Sequence, residues 1–563
     1  MRDKLLALTW GLSFHGASAE LINRAISQWL WPSSITVGNY LYVTGGEQYW
    51  PSSGNITHEP GTYVVDLTTS WTNETIVPVG GQPVNSPSDM RPSRQPLLYY
   101  DAIHSTVNRW AGWPYDGDDY PTTLWSFEVG SGTVDWQQGA NVSSNASSSV
   151  SNGPFAAAIA YSNTTYFNLG GNIKATNAEA DMTVLPGLVM QDFGTHPWSN
   201  VSFELYAQTQ FRTQARAAYV PNFGSKGYLV AVGGENPVTE ASVYETGYEM
   251  TDMADITLYD VATGKWYQQT AAGDIPPPRS EFCAVGAASQ RETFELFVYG
   301  GSVNSSDEAN KPADDGYLNV YALSIPAFRW FMSNSSTTQR RACHACSIVG
   351  NRQMISIGGR LVNTATTLGM QQDPWTSSIG VFDMTAFAWT DAYDPHAAAY
   401  DSPDPVKQYY TSEYEEPTWA DPALAQVFHM SSRYYQVQNT STNPTSSQPA
   451  NGKSSKTPTG AIVGGVIGGV AFIAILCITG WLWLRRRRRQ AVPTEETYPE
   501  DGKPPYIDFP EPAAPTYEVD GAVYKLAPVE LSSNSDAIAE LPGHGAGTGD
   551  DAGAGNRGSR YDE

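Results

Sequence analysis

The sequence predicts an all-β fold, a six-bladed β-propeller, joined to one transmembrane helix and a disordered tail. A short apolar strand ending in a glycine pair recurs along the chain, and a tryptophan follows each recurrence at a near-constant distance. Near the C-terminal end, one long uncharged stretch runs directly into five arginines.

The glycine marker is clearest in YLYVTGG at 40–46, YFNLGG at 166–171, YLVAVGG at 228–234, LFVYGG at 296–301 and MISIGG at 354–359. The pairs are Gly45-Gly46, Gly170-Gly171, Gly233-Gly234, Gly300-Gly301 and Gly358-Gly359. NRWAGW at 108–113 is a weaker member, with Gly112-Trp113 in place of the pair. Counted from the second glycine, or from Gly112, the separations are 66, 59, 63, 67 and 58 residues. A fixed period of this kind marks a repeat architecture. Trp71, Trp136, Trp198, Trp266, Trp330 and Trp389 lie 24 to 32 residues after these positions. Alternating strands precede most of them, as in DITLYDVATGKW at 255–266, where Thr263-Gly264 supplies a hairpin turn.

Each unit is thus about four antiparallel strands. A lone sheet with one apolar face is unstable, whereas copies packed face to face bury that face, and a ring of six removes the unpaired end. The strand with Gly-Gly, the Tyr259-Asp260 step and the spaced Trp266 resemble the kelch repeat, over roughly residues 33–395. The resemblance implies a kelch β-propeller within the galactose-oxidase-like superfamily. The layout as a whole resembles single-pass membrane kelch proteins of filamentous fungi.

Residues 1–19 have a charged start, an apolar run and Ala17-Ser18-Ala19, the layout of a signal peptide. The 24 residues 461–484 carry no formal charge and, at about 1.5 Å per residue, are long enough for a membrane span. The arginines at 485–489 predict a cytoplasmic C-terminal side, hence a single-pass type I protein with its N-terminal domain extracellular or lumenal. The expected domains are a signal at 1–19, propeller at 20–395, flanking segment with a short helix at 396–435, Ser/Thr-rich stalk at 436–460, span at 461–484 and tail at 485–563. Nine glycosylation sequons precede the span, at Asn55, Asn73, Asn141, Asn145, Asn163, Asn200, Asn304, Asn334 and Asn439. Gly460, Gly464 and Gly468 at intervals of four allow a homodimer through the span.

A net charge of −25 argues against nucleic acid as a partner. No Ser-His-Asp spacing, phosphate loop or carboxylate cluster stands out, and the histidines are scattered singly. The reading is therefore not an enzyme, with no catalytic residue, metal or cofactor. Cys343-His-Ala-Cys346 lies in a strand, where positions three apart face opposite ways, a poor ligand pair. A disulfide from Cys283 to Cys343 or to Cys346 between neighbouring units is expected instead. The expected function is a cell-surface scaffold binding a protein or cell-wall glycan through loops near 47–60, 114–123 and 302–317. The alternative is a membrane-tethered sensor signalling through its tail, with a galactose-oxidase-like copper enzyme further behind.

Overall fold

The computed structural model describes residues 28–429, except 51–54, 59–60, 77–78, 80–81, 116–122, 131, 142–152, 175–181, 196–197, 202–211, 238–247, 304–315, 363–372 and 376, together with 516–519 and 522–525. Residues 1–446 and 447–563 form two separate units.

In the first unit six main antiparallel sheets follow one another along the chain. Sheet I pairs Ser33–Val37, Tyr40–Thr44 and Tyr63–Asp66. Sheet II holds Leu97–Asp101, Thr106–Trp110, Thr123–Glu128 and Gln137–Asn141, and sheet III holds Ala158–Tyr161, Thr165–Leu169, Leu188–Asp192 and Trp198–Val201. Sheet IV comprises Arg216–Val220, Tyr228–Val232, Asp255–Asp260 and Lys265–Thr270. Sheet V comprises Cys283–Ala288, Phe294–Tyr299, Asn319–Ile325 and Arg329–Ser336, with Ala272–Gly273 added in parallel at its outer edge. Sheet VI comprises Ala345–Val349, Gln353–Ile357, Ile379–Asp383 and Ala388–Thr390.

Local chemistry explains the hairpins. Asp66, Asp192, Asp260 and Asp383 end the third strand of their sheets, and each carboxylate accepts a backbone N–H two or three residues on. That side-chain bond bends the chain toward the strand that follows. Tryptophan then returns across the sheet, with Trp266 tilted against Tyr259 at 4.7 Å.

The apolar core is divided among the gaps between consecutive sheets. Ile35, Tyr42, Leu98 and Trp125 fill the gap between I and II, and Leu97, Trp110, Tyr166 and Val189 the gap between II and III. Phe167, Leu169, Leu229 and Tyr259 join III to IV, whereas Val230, Leu258, Phe294 and Trp330 join IV to V. Leu41, Val65, Ile355 and Val381 join VI to I. The short helix Pro422–Phe428, capped by Asp421 accepting from Ala423 N at 2.7 Å, sends Leu424 and Phe428 into the IV–V core. Outside the main sheets, Trp71–Thr72 pairs antiparallel with Ala392–Tyr393, and the Tyr393 hydroxyl donates to Leu67 O at 2.9 Å.

Single backbone bonds at the glycine corners tie sheet to sheet. The amides of Gly46, Gly112, Gly171, Gly234 and Gly301 donate to Ser93 O, Pro154 O, Arg212 O, Arg279 O and Arg341 O, just ahead of the next sheet, at 2.8–3.2 Å. Gly359 N donates at 2.6 Å to Trp29 O, ahead of sheet I.

The expected closed six-bladed propeller is corrected to a coarser architecture: an all-β unit of separate antiparallel sheets, none of which, among the described residues, closes on itself into a barrel or propeller. The ladders explain why, since each main one stops at its own outer strand, and side chains, isolated backbone bonds and two-residue pairings continue to the neighbour. The transmembrane expectation is also corrected. Among the described residues no helix is long and apolar enough to cross a membrane, and residues 461–484 lie outside them. The type I topology, the membrane as partner and the homodimer through the span are therefore not retained. The signal at 1–19 and the stalk at 436–460 also lie outside the described residues. In the second unit, expected to be a disordered tail, Thr516–Val519 and Ala522–Lys525 pair as a hairpin.

Gly300 shows what the corners demand. Its φ is +68°, and a Cβ there would lie 2.3 Å from Arg341 O and 2.6 Å from His344 Cε1. Gly38 has a similar φ of +57° with nothing within 4 Å. Gly38→Ala should therefore cost only the left-handed penalty of about 1 kcal/mol. Gly300→Ala should cost about 3 kcal/mol or more, since backbone must also move. Urea unfolding of both variants checks this, and equal losses would refute the steric account.

Candidate functional site at the strand heads

Two residues ahead of each sheet's first strand the chain turns through a left-handed non-glycine residue. These are Trp31, Gln95, Ala156, Gln214, Glu281 and Cys343, with φ between 48° and 59°. Their backbones bond to one another: Gln95 N to Trp31 O, Trp31 N to Cys343 O, Cys343 N to Glu281 O and Gln214 N to Ala156 O, at 2.7–3.0 Å. Non-glycine residues in this conformation cost about 1 kcal/mol each or more, a strain that clusters at functional sites.

The first strands that follow line a cavity of about 430 Å³, a volume suited to a small organic ligand. Ser34, Leu98, Ala160, Arg216, Cys283 and His344 each contribute from a different sheet or its lead-in. Ser34 Oγ and Ser347 Oγ lie 2.7 Å apart across the join of sheets I and VI.

At the V–VI junction three potential ligand residues converge. The sulfurs of Cys283 and Cys346 and a ring nitrogen of His344 lie within 4.8 Å of one another. Cys283 opens sheet V opposite Tyr299, and Cys346 stands in sheet VI opposite Ser356. Positions 344 and 346 are two apart, so the strand period brings both to one face. Cys283 and Cys346 are joined as a disulfide across 63 residues. His344 is 3% exposed, and neither ring nitrogen has a hydrogen-bond partner. Burial first, then the Arg341 and Arg216 charges, hold its imidazole well below the usual histidine range, against a weak pull from the Tyr299 backbone. His344 is therefore a neutral imidazole, the form that binds a metal or exchanges a hydrogen bond.

Its surroundings are rigid. Arg341 donates to both carboxylate oxygens of Asp373 at 2.7 Å and stacks over Trp375 at 4.1 Å. Arg279 donates to Gly300 O at 2.9 Å and Gly316 O at 3.1 Å, fixing the corner against which His344 lies. Tyr299 presents its ring edge-on to His344 at 5.3 Å. Glu281 accepts from Arg360 and from Ser302, each at 2.9 Å. Burial, and then the Glu281 charge, push the nearby Glu235 carboxyl up to about 7, the Ser280 hydroxyl opposing.

Of the two disulfide pairings expected for Cys283, the structure holds the one with Cys346. Cys343 and Cys346 do not act as a pair: the left-handed turn at 343 places Cys343 in an apolar cluster with Ala342 and Val362. It is the free cysteine among the described residues, and burial pushes its thiol well up, away from the reactive thiolate. His58 stacks on Tyr115 at 3.9 Å, His104 pairs with Asp101 at 2.8 Å and His429 with Glu416 at 3.1 Å, so none of them joins His344. Of the sequons, Asn163 and Asn334 are exposed and Asn73 and Asn200 half-buried, whereas Asn145, Asn304 and Asn439 lie outside the described residues. Asn55 and Asn141 stand in strands. Of the expected binding loops, Glu47–Trp50 and Asn55–His58 form a hairpin, while 116–122 and 304–315 are outside the described residues. The sequence reading passed over Arg216, Glu235 and Glu281. Their signal was faint: all three stand beside glycine or strand-head markers of consecutive repeats.

The exclusion of an enzyme, and with it the absence of any catalytic or metal residue, is corrected here. A buried, unpartnered imidazole beside two cysteine sulfurs on a cavity wall is a potential metal or active centre.

No family model matches the chain. It is similar to a kelch repeat-containing protein of Arthroderma benhamiae, 27% identical over 188 residues, or 32% of this chain. The match spans a quarter of that relative's length, so the link to kelch-repeat proteins is distant and partial.

Two measurements probe the cluster. Closing a 63-residue loop should make the Cys283–Cys346 bond worth about 4 kcal/mol, lost in a Cys283→Ala/Cys346→Ala double variant. Cys343→Ala should cost much less, and denaturant unfolding that ranked them the other way would contradict the pairing. Glu235 holds its proton more tightly folded than unfolded. Its contribution is therefore present at low pH and lost as pH rises from 4.5 through about 7, by at most about 3 kcal/mol. Glu235→Gln should flatten the fall of the melting temperature over that window. An unchanged slope would show that Glu235 titrates normally.

Proposed function

We propose that this domain binds a small ligand in the strand-head cavity and performs metal-dependent chemistry there, centred on Cys283, His344 and Cys346. The observation that carries the reading is the convergence of three soft and borderline donor atoms at the cavity wall. In the oxidised form the two sulfurs are bonded to each other. A dithiol reductant supplies two electrons, and two thiols result. Their thiolates with the neutral imidazole would then offer a Cys₂His donor set, the ligand types of a catalytic zinc site, where a bound metal would act as a Lewis acid. Binding is favoured over adhesion alone because a purely adhesive surface has no use for a buried imidazole that lacks a partner. The galactose-oxidase-type arrangement is not favoured, since a single imidazole and two cysteine sulfurs suit a different metal chemistry from its histidine and tyrosine ligands.

Cobalt(II) titration of the reduced, full-length chain tests this. Thiolate-to-metal charge-transfer bands and tetrahedral visible bands should appear at one equivalent, and the oxidised protein should show neither. His344→Ala should weaken binding beyond the roughly 10–100-fold typical of losing an outer-shell partner. Absence of the bands in reduced protein, or their persistence in His344→Ala at unchanged affinity, would overturn the proposal.

A further inference from the structure

Arg216 is the first residue of sheet IV and lines the same cavity. Its described contacts are a bond from Nη1 to Ala215 O at 2.9 Å and a position 5.7 Å over the Phe282 ring. Among the described residues no carboxylate lies within ion-pair distance of it, whereas Arg341, Arg352 and Arg360 each have one. Burial lowers its affinity for the proton to about 10, with Cys343 and the Glu281 charge opposing, so it remains a cation at neutral pH. Glu281 offsets part of the cost of holding this half-buried cation on a cavity wall, and an anion in direct contact would offset the rest. The second observation is independent: His344, buried on the same wall, has one ring N–H and one ring acceptor that the protein leaves unused.

We infer that the natural occupant of the cavity is a small organic carboxylate, its carboxylate held by the guanidinium fork of Arg216 and by the His344 N–H. One cation without a carboxylate at ion-pair distance matches a single negative charge better than the two charges of a phosphate. The planar fork fits two carboxylate oxygens at once. Leu98, Ala160 and Val285 line the rest of the cavity and suit an apolar body, with the Ser34 and Ser347 hydroxyls available to a polar substituent. This inference rests on the cavity-binding reading above and names its substrate class. It needs neither reduction nor metal.

The test uses the full chain with its disulfide intact and no added metal, so that its failure is distinguishable from failure of the metal proposal. Butyrate is titrated against the neutral isostere butyramide at constant ionic strength, read by thermal midpoint and by calorimetry. Butyrate should give a saturable stabilisation and butyramide none. Arg216→Gln should weaken butyrate binding by at least about tenfold, and Arg216→Lys by less, since the charge survives but the fork does not. In wild-type protein the His344 ring resonances should shift along the same saturation curve, a readout available even if Arg216→Gln does not fold. No saturable butyrate binding, equal binding of butyramide, undiminished binding in folded Arg216→Gln, or an unmoved His344 ring would each overturn it. Tighter binding of inorganic phosphate than of butyrate would overturn the choice of a carboxylate.

Discussion

The architecture depends on an amide that no ladder uses. At the end of each second strand the chain must turn sharply, and the N–H of the glycine there would be lost to any sheet. It is given instead to a carbonyl just ahead of the neighbouring sheet, from Gly46 to Ser93 through to Gly359 and Trp29. Buried backbone groups must be satisfied, so these bonds both stop one ladder and fix where the next begins. Because glycine has no Cβ, the neighbouring carbonyl approaches to where a side chain would otherwise sit, as Arg341 O does at Gly300.

The corner bonds also set the position of the candidate site. Once the leading segments are held together, the residues before each first strand are forced through left-handed turns, and their backbones bond to one another. At Cys343 this turn separates two neighbours in sequence. The thiol enters an apolar cluster, while His344 faces the cavity beside the Cys283–Cys346 bond. The strain at six such turns is offset by the bonds they make and by the apolar cores between the sheets. At this junction Cys343 is protonated and buried, and His344 is neutral and without a hydrogen-bond partner.

Strand content and the repeat were legible because glycine corners and tryptophans are local signals that recur with a period. Asp260 with Thr263 and Trp266 with Tyr259 behave as their spacing implies. Whether sheets close on themselves was not legible, because strand patterning describes a ladder and says nothing of where its hydrogen bonds end. The site was misread for a related reason. Cys343 and Cys346 are spaced as a poor ligand pair, but strand geometry brings positions 344 and 346 together, and the third donor, Cys283, comes from another sheet. Arg216 and Glu235 are marked in sequence only by a neighbouring strand head and glycine corner. Only their convergence in space gives them meaning.

Sheet I carries one further implication. Its outward continuation, Trp71–Thr72, finds its partner in Ala392–Tyr393, about 320 residues later in the chain. During synthesis the ribosome therefore releases this early segment long before its mate exists, leaving backbone groups open to intermolecular pairing. A nascent chain stalled before residue 392 would expose a sticky flank that only a chaperone or the finished C-terminal region could shield.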